Sequence, residues 1–262
     1  MAPRRAESSR PLGIASTWAR IAASFAVVSS VSVVYLSLSL LLLPWRPLRI
    51  RIGNVYGKTV GRSVARILGV RTRVRHRARL AESRPAIYVT NHTSALDVFI
   101  GMWLCPMGGC GIAKKEIARI PFFGWAYRLS GHLLIDRGDR EGAIAALEAT
   151  AEVVRRNHLS IWIWPEGTRS RDGRLLSFRK GFAHLAIATG LPVVPVILHG
   201  AHERLPGRSF RLIPGILEVE VLEPIETRHW KRETVDQHVE QVHEIFRRAL
   251  RPAQRPFRPP RR

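Results

Sequence analysis

Between residues 85 and 222 the chain alternates short, mostly apolar runs with stretches long enough to form helices. Runs at 87–89, 109–113, 132–135, 159–164, 193–198 and 217–222 read as strands, bounded by Gly, Pro and polar residues. Helices are expected at 95–104, at 121–130 and at 178–189, the last stopped by Gly190. Another follows Asp139 as N-cap, with Ile144, Leu147, Ala151 and Val154 on one face. A final helix opens with the capping box Thr234-Val235-Asp236-Gln237 and runs to about Leu250. Short apolar strands separated by helices cannot leave either sheet face in water. The pattern therefore predicts an α/β fold: a mixed, largely parallel sheet flanked by helices.

The 262 residues suit one such domain with an appendage. The appendage is set by residues 21–45, which contain no charged side chain and are long enough to cross a bilayer or lie deep in one leaflet. The run is too long for a signal-peptide core. It ends in Leu43-Pro44-Trp45-Arg46 rather than in small residues suited to cleavage. Its surroundings are basic: the chain carries a net charge of +22, and residues 8–81 hold no Asp or Glu. Such arginine blocks bind nucleic acid or anionic lipid, and the adjoining apolar run favours lipid. Residues 51–68 read as a basic amphipathic helix, with Val55, Val60, Val64, Ile67 and Leu68 on one face and Arg62 and Arg66 on the other. Gly53, Gly57 and Gly61 weaken that reading. The expected organisation is a basic tail (1–20), a membrane anchor with its basic amphipathic segment (21–80), an α/β domain (81–250) and a second basic tail (251–262). Arginine is denser after the apolar run than before it, which places the domain on the cytoplasmic face of the inner membrane. Cys105 and Cys110 lack histidines in ligand register, so they read as buried free thiols rather than as a zinc site or a disulfide.

Three chemically loaded segments each follow a strand. Asn91-His92-Thr93-Ser94-Ala95-Leu96-Asp97 follows the first, and Asp136-Arg137 closes 131–137. Pro165-Glu166-Gly167-Thr168-Arg169-Ser170 follows Ile161-Trp162-Ile163-Trp164. Parallel strands would bring all three to the carboxyl edge of the sheet, where open α/β folds bind ligands. His92 then supplies a general base, with Asp97 placed to fix its tautomer. Arg137 and Arg169 suit bidentate grip on a phosphate. Glu166 can accept from hydroxyls or orient an arginine, and Gly167 lets main-chain amides approach an anion.

These blocks, with Leu191-Pro192-Val193-Val194-Pro195-Val196, resemble the glycerolipid acyltransferase family, most like its bacterial 1-acyl-glycerol-3-phosphate acyltransferases. The likeness covers about residues 85–224. Trp164 and Leu134 stand where phenylalanine is common. The resemblance implies that His92 deprotonates a glycerol hydroxyl, that Asp97 supports it, and that the hydroxyl attacks an acyl thioester directly. Arg137, Glu166, Gly167, Thr168 and Arg169 would hold the acceptor lysophosphatidate, and Pro195 would belong to the acyl side. No metal or resident cofactor is implied; acyl-CoA or acyl-carrier protein is the co-substrate, and anionic membrane lipid is the further partner. Rival readings are the same chemistry on a lysophospholipid or lyso-ornithine acceptor, a lipase-like hydrolase, and a membrane-tethered nucleic-acid binder. The last explains the charge but none of the loops, and no nucleic-acid partner is expected.

Overall fold

Seven strands make one sheet, in the order β1-β7-β6-β2-β5-β3-β4, in a computed structural model of the chain. The structure describes residues 10–114, 119, 123–129, 132–135, 140–206 and 211–256. The strands are β1 (Val70–Arg75), β2 (Ile87–Thr90), β3 (Gly109–Lys114), β4 (Leu133–Ile135), β5 (Ser160–Ile163), β6 (Val193–His199) and β7 (Gly215–Val221). β6, β2, β5, β3 and β4 are mutually parallel. β7 runs antiparallel to β6 and parallel to β1. The sheet is mixed and largely parallel, as the pattern predicts.

Side-chain chemistry explains the strand order. β2, β5 and β6 are mostly apolar, with a polar residue only at one end of each (Thr90, Ser160, His199), and are buried on both faces, so they occupy the middle. β7 alternates Leu217, Val219 and Val221 inward with Ile216, Glu218 and Glu220 outward, which suits a strand with one open face. β1 does the same with Val70, Thr72 and Val74 against Arg71, Arg73 and Arg75. It was hidden from sequence reading inside the arginine block.

On one face, Ile87, Val89, Ile161 and Ile197 pack beneath Phe182, Leu185, Val242 and Phe246. Those come from α7 (Gly181–Thr189) and α9 (Val235–Ala249), with α6 (Arg140–Arg156) beside them. On the other face, Tyr88, Trp162, Val194 and Leu198 pack beneath Val60, Val64, Leu96 and Ile100 of α2 (Arg46–Ile67) and α4 (Leu96–Leu104). Each such fully buried side chain contributes roughly 1.5–3 kcal/mol.

α2 departs from its amphipathic reading. It begins at Arg46, with a proline in its first turn, and Val55 is exposed. Its buried stripe is Gly53, Gly57, Val60, Gly61 and Val64. A Cβ on Gly61 would lie 2.1 Å from the Phe99 carbonyl oxygen, and one on Gly57 3.2 Å from that of Met102. The glycines that count against a helix by propensity are what lets α2 lie directly on α4. Asn54 fixes its height: Nδ2 donates to the Gly109 carbonyl at 2.7 Å, and Oδ1 accepts from Gly108 N–H at 2.8 Å.

α1 (Ile14–Leu41) precedes it and returns along it, because residues 42–45 make a tight turn. Arg20 reaches the Ile67 carbonyl, Tyr35 stacks on Tyr56 at 4.7 Å between centroids, and Ser32 and Tyr56 share a 2.9 Å hydrogen bond. The two helices form an antiparallel hairpin docked on the domain through α2.

Two further expectations are corrected. The Thr234 side chain does not cap α9: Oγ1 bonds His238 Nε2 at 2.9 Å instead, and a short 3₁₀ turn leads into the helix. The helix expected from Phe178 begins at Gly181, because Arg179 N–H is tied to the Pro165 carbonyl at 2.8 Å. Gly190 does terminate it, in the left-handed region at φ 68°. The expected N-cap Asp139 lies outside the described residues. Cys105 and Cys110 are free and buried; burial pushes the Cys105 thiol up to about 12 and raises that of Cys110 as well.

Candidate active site

β2, β4 and β5 are parallel, so their carboxyl ends share one sheet edge, from which the segments after β2 and β5 leave. Asn91 begins the first. Its side chain accepts from Leu198 N–H at 2.8 Å and donates to the Leu198 carbonyl at 3.0 Å, continuing the β2–β6 ladder one residue past the strand. The chain then turns into α4, whose first turn carries Asp97. That carboxylate is fully enclosed. Oδ2 accepts from Thr93 N–H at 2.5 Å, from Ser94 N–H at 2.7 Å and from His92 Nδ1 at 3.1 Å. All three donors converge on Oδ2, beside the positive end of α4, while Oδ1 is buried with no hydrogen-bond partner among the described residues. Since a carboxylate only accepts, Nδ1 carries the proton and Nε2 keeps its lone pair. Nε2 has no hydrogen-bond partner among the described residues, and the imidazole is 14% exposed. The tautomer is thus set from behind, and Nε2 is left able to accept a proton.

The loop after β5 is stitched to the first. Ser170 N–H donates to the His92 carbonyl at 2.8 Å, and His92 N–H donates to Glu166 Oε1 at 2.6 Å. Glu166 Oε2 accepts from Leu176 N–H at 2.8 Å. Burial pushes the Glu166 carboxyl up to about 8, against the opposing pull of those two main-chain donors. Gly167 sits at φ 70°, a conformation that suits glycine, and its N–H closes a turn onto the Trp164 carbonyl at 3.1 Å. Trp164 flanks the imidazole, its ring centroid 5.2 Å away and tilted by 34°. Beside Glu166 and Thr168 lies a cleft of about 310 Å³, lined also by Leu176, Ser177, Phe178 and Arg179.

The structure thus brings His92, Asp97, Glu166, Gly167, Thr168 and Arg169 to one edge; Thr168 and Arg169 are exposed there. Arg137 lies outside the described residues. Pro195 lies within β6, opposite Val89, inside the sheet rather than among the loops. Sequence reasoning missed Arg179, whose exposed side chain makes no ion pair among the described residues. It also missed His202, whose Nδ1 lies 3.3 Å from the Thr93 carbonyl and so braces the His92 loop. Ser94 Oγ donates to the Leu205 carbonyl at 2.7 Å, a second brace from the same segment. The spacing of Phe178-Arg179-Lys180 after the loop was the available signal for Arg179; nothing local marked His202.

The profile of the acyltransferase family matches residues 71–199. The 1-acyl-sn-glycerol-3-phosphate acyltransferase of the plant Limnanthes douglasii is 40% identical over 238 residues, which are 91% of this chain and 84% of its own. That of the bacterium Salmonella typhimurium is 34% identical over 180 residues, 69% of this chain and 72% of its own. The crystal structure of the 1-acyl-sn-glycerophosphate acyltransferase PlsC from Thermotoga maritima matches in fold, with a TM-score of 0.61. At 24% identity, the match covers 86% of this chain and 95% of that one. With relatives this similar in plants and bacteria alike, the chain belongs to the 1-acyl-sn-glycerol-3-phosphate acyltransferase family.

Proposed function

We propose that the chain moves a fatty acyl group from a thioester, acyl-CoA or acyl-carrier protein, to the free hydroxyl of 1-acyl-sn-glycerol 3-phosphate, giving phosphatidate for phospholipid synthesis. The observation that carries this reading is the 3.1 Å His92–Asp97 contact, which leaves Nε2 as the one ring nitrogen able to take a proton. In the reaction, Nε2 removes the hydroxyl proton as the oxygen attacks the thioester carbonyl. The tetrahedral intermediate then collapses, the carbon–sulfur bond breaks, and the imidazolium returns its proton to the leaving thiolate. Asp97 stabilises the transient cation. General-base help is worth roughly 10²–10⁴-fold. The thioester is already activated, so positioning supplies much of the rest. Arg169, the Gly167 and Thr168 segment and Arg137 are the proposed phosphate-holding groups, with Arg179 added by its place in the cleft. Pro195 is kept as a strand residue on the proposed acyl side. The chemistry calls for no metal and no resident cofactor.

A lipid substrate requires the site to sit at an interface. The exposed apolar residues fit that need: Trp18, Phe25, Val33, Val34, Leu38 and Leu41 of α1, Leu43 and Trp45 of the turn, and Trp125 of α5 (Phe123–Leu129). α1 is the one described helix long and apolar enough to cross a membrane. Because it lies back along α2 instead of projecting from the domain, we propose that the hairpin embeds in the cytoplasmic leaflet of the inner membrane, aided by arginines facing anionic headgroups. The test is a lipid-product assay on purified protein with lysophosphatidate, other lysophospholipids and lyso-ornithine lipid, each offered with acyl-CoA and with acyl-carrier protein. Phosphatidate formed faster than any other product supports the reading; free fatty acid alone, or preference for a phosphate-free acceptor, contradicts it.

A further inference from the structure

Glu166 sits where a substrate-binding carboxylate would be expected, yet its contacts are with the main chain. Oε1 accepts from His92 N–H and Oε2 from Leu176 N–H, at 2.6 and 2.8 Å. The residue is 2% exposed, so neither oxygen is open to a bulky acceptor. Ser170 N–H meanwhile donates to the His92 carbonyl. Both main-chain polar groups of residue 92 are therefore held from the loop that follows β5. The imidazole's direction is set by Asp97, and its position along the sheet edge by Glu166 and Ser170. Few side chains can do this task, because it needs two acceptors at the end of one stem, facing different donors. A glutamine offers a single acceptor, and its amide nitrogen would meet an N–H head on. A neutral carboxyl still keeps a lone pair on each oxygen, so the anchoring survives protonation.

Resting on the acyl-transfer reading above, we infer that Glu166 is a positioning residue: it locks the His92 main chain to the loop after β5 and does not hold the acceptor. A displacement of about 1 Å at a reacting group can cost on the order of 10²-fold in rate. Loss of the anchor therefore falls on turnover rather than on acceptor affinity.

Steady-state kinetics of full-length Glu166→Gln in mixed micelles test this. The expected result is a fall in kcat of about 10–10²-fold with the lysophosphatidate KM within about twofold of wild type. Thr168→Ala, in the same assay, serves as the contact control and raises that KM. Glu166→Asp keeps both acceptors on a shorter stem and recovers part of the turnover that Gln loses. If Glu166→Gln fails to fold, Glu166→Asp carries the same kcat-against-KM comparison. An acceptor KM raised tenfold at unchanged kcat, or a Gln variant indistinguishable from wild type, overturns the inference. A wild-type protein that acylates no lysolipid removes the underlying reading instead, and is seen before any variant is made.

Discussion

The Glu166 carboxyl is held near 8 chiefly by burial, well above its ordinary value of 4.5. The sign follows directly. Below pH 4.5 the folded and unfolded chains both carry the proton. Between 4.5 and 8 the unfolded chain releases it while the folded chain keeps it, so stability falls as pH rises, until the folded carboxyl also ionises near 8. Melting temperatures of wild type should therefore decline from pH 5 to 9 relative to Glu166→Gln, which has nothing to ionise there; parallel curves would contradict this. The meeting of His92 and Asp97 was legible from spacing alone, because a strand end followed by a helix's first turn brings positions 92 and 97 together. The partners of Glu166 were not legible. Every residue but proline carries an N–H, so no sequence pattern marks which two will meet a carboxylate. The same holds for His202, whose contact with Thr93 depends on how β6 lies beside β2.

Central strands announced themselves because burial on both faces demands consecutive apolar residues, as in residues 87–89 of β2 and 193–198 of β6. β1 did not, since an edge strand needs only alternate apolar residues and its other positions are arginines. α2 shows a sharper conflict between propensity and packing. Each interior glycine costs about 0.5–1 kcal/mol against alanine, yet α2 keeps Gly57 and Gly61 on its buried stripe because α4 lies against them. Gly61→Ala should therefore destabilise instead of stabilise. Its Cβ would meet the Phe99 carbonyl, and overpacking typically costs about 1–3 kcal/mol. For a chain of this size that lowers Tm by several degrees, about 2–4 °C per kcal/mol. Gly13→Ala, with nothing within 4 Å of its added Cβ, is the matched control and should leave Tm near wild type. A Gly61→Ala protein as stable as wild type would show that α2 does not approach α4 this closely.

At the scale of the whole molecule, charge and apolar surface are segregated. Among the described residues several acids are held in local pairs: Glu218 with Arg75 and Arg251, Glu220 with Arg75, and Glu244 with Arg247 and Arg248. Much of the +22 charge is left for an anionic surface. Composition made that legible, and the uncharged run marked α1; the hairpin did not follow from either, because the α1–α2 pairing rests on the Arg20, Ser32, Tyr35 and Tyr56 contacts. Each basic residue near the surface is worth about 1 kcal/mol of attraction to anionic lipid. Binding to phosphatidylglycerol vesicles should thus exceed binding to neutral ones, and high salt should reduce the difference without releasing the protein, since the apolar hairpin holds independently of charge. Complete release by salt would show that the hairpin stays out of the lipid. The central claim is that His92 is the base for acyl transfer to lysophosphatidate. It is tested most directly by turnover of folded His92→Ala beside wild type, with lysophosphatidate and acyl thioester supplied to both. The account predicts phosphatidate from wild type and a loss of at least about 10²-fold in the variant, near 3 kcal/mol of transition-state stabilisation; a folded His92→Ala that retains near-normal turnover would contradict it.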